Sequence, residues 1–155
     1  MTSDNDTGSR QGGATTGRGA LVWFRDDLRL SDHPALVAAS KGGRSVAALY
    51  VLDETSPGVR ALGGAAKWWL HKSLTKLASA LSSQGVPLII KMGRAETVVP
   101  AVAEALGVAA VHWNRRVGAA EIAIDSGIKA GLKARGLEVA SHQANLLFEP
   151  WSVGN

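Results

Sequence analysis

The side chains with the most chemical potential stand in one burst, Arg25-Asp26-Asp27-Leu28-Arg29, directly after the apolar run Ala20 to Phe24. Guanidinium and carboxylate groups at this spacing can neutralise one another and fix a loop, or offer charge to a ligand. The ion-pair reading comes first, with Arg25, Asp27 and Arg29 as a cluster that shapes the loop. A second polar run, His112-Trp113-Asn114-Arg115-Arg116, ends another apolar stretch. His112 has no second His or carboxylate at ligand spacing in the chain, so it reads as a packed or exposed histidine rather than a metal ligand. Asn114 is suited to cap the turn that follows it. Glu121 falls near the start of the next helical pattern, where the helix dipole favours a carboxylate. Trp68-Trp69-Leu70-His71 concentrates aromatic area; one ring can join an apolar face while its neighbour, about 100° round the helix, faces a partner.

Several chemistries are excluded. Cysteine is absent, so there are no disulfides, thiolate metal sites or cysteine nucleophiles. No G-x-G-x-x-G follows the first apolar run, and no G-x-x-x-x-G-K-[ST] occurs. Gly63-Gly64 has no strand directly before it and reads as a loop-to-helix junction. The 155 residues suffice for one domain with a real core, and 46% hydrophobic with 19% charged residues is ordinary for a globular chain. The formal charge of +4 is scattered, and no apolar run approaches the length of a membrane span. Residues 1–19 are polar, carry Asp4 and Asp6, and read as a disordered extension.

The elements that must position these groups alternate. Strands are expected at Leu21–Phe24, Ser45–Leu52, Pro87–Met92, Val108–Trp113 and Leu137–Ala140. Helices are expected at Pro34–Ser40, Gly64–Ser83, Ala95–Leu106 and Ala119–Ala134. Ser31 or Asp32 is the expected cap of the first helix. Leu70, Leu74, Leu77 and Leu81 share one face of the second, and Gly85, Gly107 and Gly136 stand where helices stop. This alternation requires right-handed crossovers, hence an α/β fold: a doubly wound, Rossmann-like, five-stranded parallel sheet with helices on both faces. The charge burst then lies at the carboxyl edge of the sheet, where open α/β folds bind ligands.

Four separated motifs resemble those of DNA photolyases and cryptochromes. Trp23, Phe24, Arg25, Asp27, Leu28, Arg29, Leu30, Asp32, Ala35 and Leu36 stand in the pattern WFRxDLRLxDxxAL, and GGAAKWWLHKSL is similar to GGAxxWWLHxSL. Trp113, Asn114 and Arg115 match V-x-WNRxYEP, with Val117, Gly118 and Ala119 in place of Tyr-Glu-Pro. Leu146 to Trp151 resembles LLFEPWEV, with Ser152 where Glu is usual. In folate-binding photolyases an Asn-Glu pair after the third motif holds an antenna pterin; here Ala120 replaces the Asn and Glu121 matches the acid.

The resemblance implies residues 20–148 as the antenna-binding α/β domain of a class I photolyase that splits cyclobutane pyrimidine dimers, with 149–155 beginning a truncated interdomain linker. It implies an antenna chromophore (methenyltetrahydrofolate, a deazaflavin or a flavin) near Asn114, Ala120 and Glu121. It implies structural or interdomain roles for Arg25, Asp27, Arg29, Trp68, Trp69 and Trp151. FAD and damaged DNA are then the partners of a second, helical domain absent from this chain. The chain alone is expected to be cytoplasmic, without membrane contact, and inactive in repair. A cryptochrome light receptor and a stand-alone nucleotide-binding module are the alternatives.

Overall fold

The computed structural model describes residues 18–144. The strands are β1 (Ala20–Phe24), β2 (Val46–Leu52), β3 (Leu88–Met92), β4 (Ala110–Asn114) and β5 (Glu138–His142). Between them lie α1 (Pro34–Ser40), α2 (Gly64–Ser83), α3 (Ala95–Leu106) and α4 (Ala119–Ala134). All five strands are parallel in the order β3-β2-β1-β4-β5. The chain therefore reverses its direction of winding between β1 and β4, which makes their carboxyl ends the switch point of the sheet.

Strand alternation divides the core into two layers. Leu21 and Trp23 face α3 and α4, packing with Leu49, Val99, Ile124, Ile128 and Leu132. Ala20, Val22 and Phe24 face the other way, against Ala35 and Ala39 of α1 and Leu77 and Leu81 of α2. Every residue of β1 is buried, as a central parallel strand requires.

All four helices begin and end where the sequence places them. The last two strands are displaced along the chain: β4 begins two residues later and ends one later than expected, and β5 begins one later and ends two later. Val108 and Leu137 are still occupied in closing the preceding helices, donating to Ala103 and Leu132 carbonyls. At the other end, Ser141 and His142 continue the ladder although polarity hides them from an apolar pattern. The cap of α1 also differs. Asp32 takes a left-handed turn, with φ of 51°, and His33 becomes the capping residue through Nδ1, which accepts from the Leu36 amide at 3.1 Å. The expectations for the tail up to residue 17, the linker at 149–155 and Trp151 lie outside the described residues.

Candidate functional site

The charged loop after β1 is anchored across the switch point as well as within itself. Both oxygens of Asp125 on α4 accept from Arg25 Nη1 at 2.6 Å, and this guanidinium lies 4.1 Å over the Trp23 ring. Trp113 Nε1 donates to the same carboxylate at 3.2 Å, and Trp113 meets Trp23 edge-on at 5.7 Å. Burial pushes the Asp125 carboxyl above its ordinary range and the Arg25 guanidinium below its own, against the attraction between them. Asp27 pairs with Arg29 at 2.9 Å, as the cluster reading expects. Asp26 accepts twice from Arg116, at 2.6 and 2.7 Å, joining the loops after β1 and β4. Asp125 escapes a reading of the loop alone; its one signal is a carboxylate beside the core residue Ile124 on an amphipathic helix.

Asn114 does cap a helix, but not the one that follows it. Its Oδ1 accepts from the Ala35 amide of α1 at 3.2 Å, and its Nδ2 lies 3.4 Å from Asp27 Oδ2 and 3.1 Å from His33 Nε2. Only 4% of Asn114 is exposed, and it does not line the cleft that opens over β1 and β2. His112 also gains a neighbour that linear spacing hides. His142, on the adjacent strand, brings Nε2 to 3.2 Å from His112 Nδ1. His112 Nε2 is buried with no partner. A buried N–H without an acceptor costs more than a bare lone pair, so the neutral pair is best satisfied with His112 Nδ1–H donating to His142. Burial lowers the pKa of His33, His112 and His142 alike. No group of three or more metal-ligating side chains assembles among the described residues.

Beside these anchors, a cleft of about 650 Å³ opens over the carboxyl ends of β1 and β2. Tyr50 and Leu52 contribute its apolar floor, the start of α2 one wall, and Arg116 with Glu121 its charged rim. Burial raises the Tyr50 phenol above its ordinary pKa. The loop between β2 and α2 is held by Asp53, which accepts from the Thr55, Ser56 and Ala95 amides and from Ser56 Oγ. Burial alone would raise the Asp53 carboxyl, and these donors outweigh it and hold it below the ordinary range. Gly58, with φ of 79°, brings this loop onto α4: a Cβ there would stand 2.9 Å from Ala120 Cβ. The Glu121 carboxylate folds back against Gly118, occupying the space a side chain would need. Of Asn114, Ala120 and Glu121, then, Glu121 alone lines the cleft.

The tryptophans of α2 correct the expectation that one ring joins the core. Trp68 is 55% and Trp69 65% exposed, because at 100° per residue neither ring falls on the buried face of Leu74, Leu77 and Leu81. The rings meet edge-on at 4.9 Å, and Trp69 borders the cleft whereas Trp68 does not.

Comparison with known proteins follows the same lines. The family model described as DNA photolyase matches residues 20–155. The deoxyribodipyrimidine photo-lyase of Agrobacterium fabrum is 41% identical over 130 residues, covering 84% of this chain and 26% of that protein. Cryptochrome-1 of Arabidopsis thaliana is 37% identical over 91% of this chain and 21% of its own length. A solved bacterial class III photolyase from Agrobacterium tumefaciens superposes with a TM-score of 0.81 at 37% identity, over 94% of this chain and 30% of that one. The chain thus spans about a quarter of the length of these relatives. Among the described residues no helix is long and apolar enough to cross a membrane. The polypeptide, with its doubly wound sheet and its four motifs in order, belongs to the DNA photolyase family.

Proposed function

We propose that this chain is the antenna-binding α/β domain of a light-driven photolyase acting on cyclobutane pyrimidine dimers, with the pigment seated in the cleft over β1 and β2. The observation that carries the reading is that cleft: about 650 Å³, apolar at its floor and charged at its rim, at the ligand-binding edge of the sheet. The residues present fit a flat heteroaromatic ring. Trp69 offers an exposed stacking face at the mouth, Tyr50 a half-buried ring below, and Glu121 and Arg116 an acceptor and a donor for polar ring edges. The fit rests on stacking and one carboxylate; Asn114 is committed to α1, and Ala120 is covered by the Gly58 loop.

Bound there, the pigment would absorb near-ultraviolet or blue light and pass excitation to the FAD of a second domain. The chemistry belongs to the cofactors, and this chain's residues bind, orient and keep water from the ring. FAD and the damaged DNA are assigned to the second domain, so the chain alone should not repair dimers. The motifs imply class I, whereas similarity to a structure described as class III, at 37% identity, favours that class. The 37% identity to Cryptochrome-1 supports the signalling alternative, which a dimer-repair assay on the whole protein decides.

The cleft is tested by titrating the chain with methenyltetrahydrofolate, a deazaflavin and FMN, following pigment fluorescence. At least one should bind. Trp69→Ala should weaken it about five- to tenfold, the loss of one aromatic stack, and Glu121→Gln should weaken it further. Failure of all three pigments, or binding indifferent to Trp69→Ala, removes the pigment from this cleft. Dimer splitting by the illuminated chain above a reduced-flavin control would refute its expected inactivity.

A further inference from the structure

The outward face of α2 has no role in the cleft. Its buried seam is Leu74, Leu77 and Leu81. At 100° per residue, Trp68, Lys72 and Lys76 fall on the opposite side, in a row rising about 6 Å per step. Trp68 is 55% exposed, and Lys72 Nζ sits 5.5 Å from its ring centroid. Lys72 and Lys76 are exposed, and neither meets a carboxylate among the described residues. The whole helix carries Lys67, Lys72 and Lys76 and no acidic residue; of the three, Lys67 is paired, with Glu54.

We propose that this face binds single-stranded nucleic acid, with Trp68 stacking on an unpaired base and Lys72 and Lys76 meeting successive phosphates. Charge selects this occupant. A row of unpaired cations attracts a polyanion, and it repels the same row on a second copy of the chain. The aromatic selects it further, since a flat exposed indole beside a cation is the platform on which unstacked bases settle without sequence preference. The proposal goes beyond the pigment reading and does not depend on it, because the cleft uses Trp69 on the neighbouring side of the helix.

The test uses the 155-residue chain and a labelled oligo(dT) of roughly a dozen nucleotides, within the site sizes of such platforms, followed by anisotropy at several salt concentrations. Binding should appear at low salt. Trp68→Ala should weaken it roughly five- to hundredfold, the range for one base–aromatic stack, and Trp68→Phe should restore most of the affinity. Lys72→Gln and Lys76→Gln should each make the slope of log K on log salt shallower by about 0.7. Lys133→Gln on α4 removes the same charge and should leave affinity and slope nearly unchanged. No binding at low salt, no loss from Trp68→Ala, or an equal loss from Lys133→Gln overturns the proposal. So does a dimer that Trp68→Ala dissolves, which would assign the face to a second copy. Pigment binding, measured in parallel, should be weakened far less by Trp68→Ala than by Trp69→Ala, since Trp68 touches Trp69 but does not line the cleft.

Discussion

Replacing Asp125 by Ala isolates the strongest polar anchor of the carboxyl edge. The side chains of Arg25 and Asp125 are 7% and 13% exposed, so neither charge has ready access to water. Removing one partner of such a pair leaves the other buried and uncompensated, at a cost of about 3–5 kcal/mol. Trp113 Nε1–H loses its acceptor in the same step, worth roughly 1 kcal/mol more. Against a total stability of about 5–15 kcal/mol for a domain, this is a large fraction. At about 4 °C per kcal/mol for a chain of this size, Tm should fall by roughly 20 °C. Urea and thermal unfolding followed by circular dichroism would measure both quantities. The double variant Arg25→Met with Asp125→Leu should recover to within about 2 kcal/mol of the parent, since apolar side chains of similar volume replace buried pairs well. Arg116→Ala breaks the exposed bridge to Asp26 and a longer contact with Glu121 at 3.9 Å, and should cost no more than about 1 kcal/mol. An Asp125→Ala cost under about 1 kcal/mol, or a double variant less stable than the single, would show that burial does not govern this pair.

Asp53→Ala should cost about 1–2 kcal/mol in urea unfolding, comparable with loss of a strong helix cap, because one carboxylate serves both its loop and the start of α3. The folded pKa of Asp53 is depressed, so its contribution is present above the ordinary carboxylate range and lost as pH falls through the folded value. The gap between parent and variant should therefore close in acid; a gap independent of pH refutes the assignment. His33, His112 and His142 have folded pKa values below the ordinary value, so stability from their neutral forms is present above about pH 6.5 and is lost as pH falls through the folded values. Urea midpoints should drop between about pH 6.5 and 5, and three of the four histidines should titrate below the unfolded value by NMR; unshifted titrations would contradict the burial seen here.

Helix limits were legible because their determinants are local. Gly85, Gly107 and Gly136 all lie at positive φ just past α2, α3 and α4, where a side chain would be strained. The parallel, doubly wound architecture was legible from alternation alone. What sequence could not supply is the identity of partners delivered by the sheet. Arg25 meets Asp125 a hundred positions on, and Asn114 turns back to α1 across 79 positions. His112 finds His142 because two strands lie side by side in a fixed register. The pair Trp68-Trp69 misled for a different reason: two adjacent rings suggest one inward and one outward, yet at 100° per residue neither falls on the face of Leu74, Leu77 and Leu81.

These long-range anchors also bear on where the cleft opens. In a doubly wound sheet the gap between β1 and β4 is the expected crevice. Here two ion pairs cross it, Arg25 to Asp125 and Asp26 to Arg116, and Asn114 accepts from the Ala35 amide of α1. The open volume lies one strand over, above β1 and β2, with Asp53 among its lining residues. The same charged burst that marks the switch point in the sequence therefore closes it in the fold. It ties the loop after β1 to α4 and lays Arg25 over Trp23, and both residues line the cleft. A ligand in that cleft would lean on this brace without touching Asp125, so Asp125→Ala should loosen pigment binding and stability together, while Trp69→Ala should weaken binding alone.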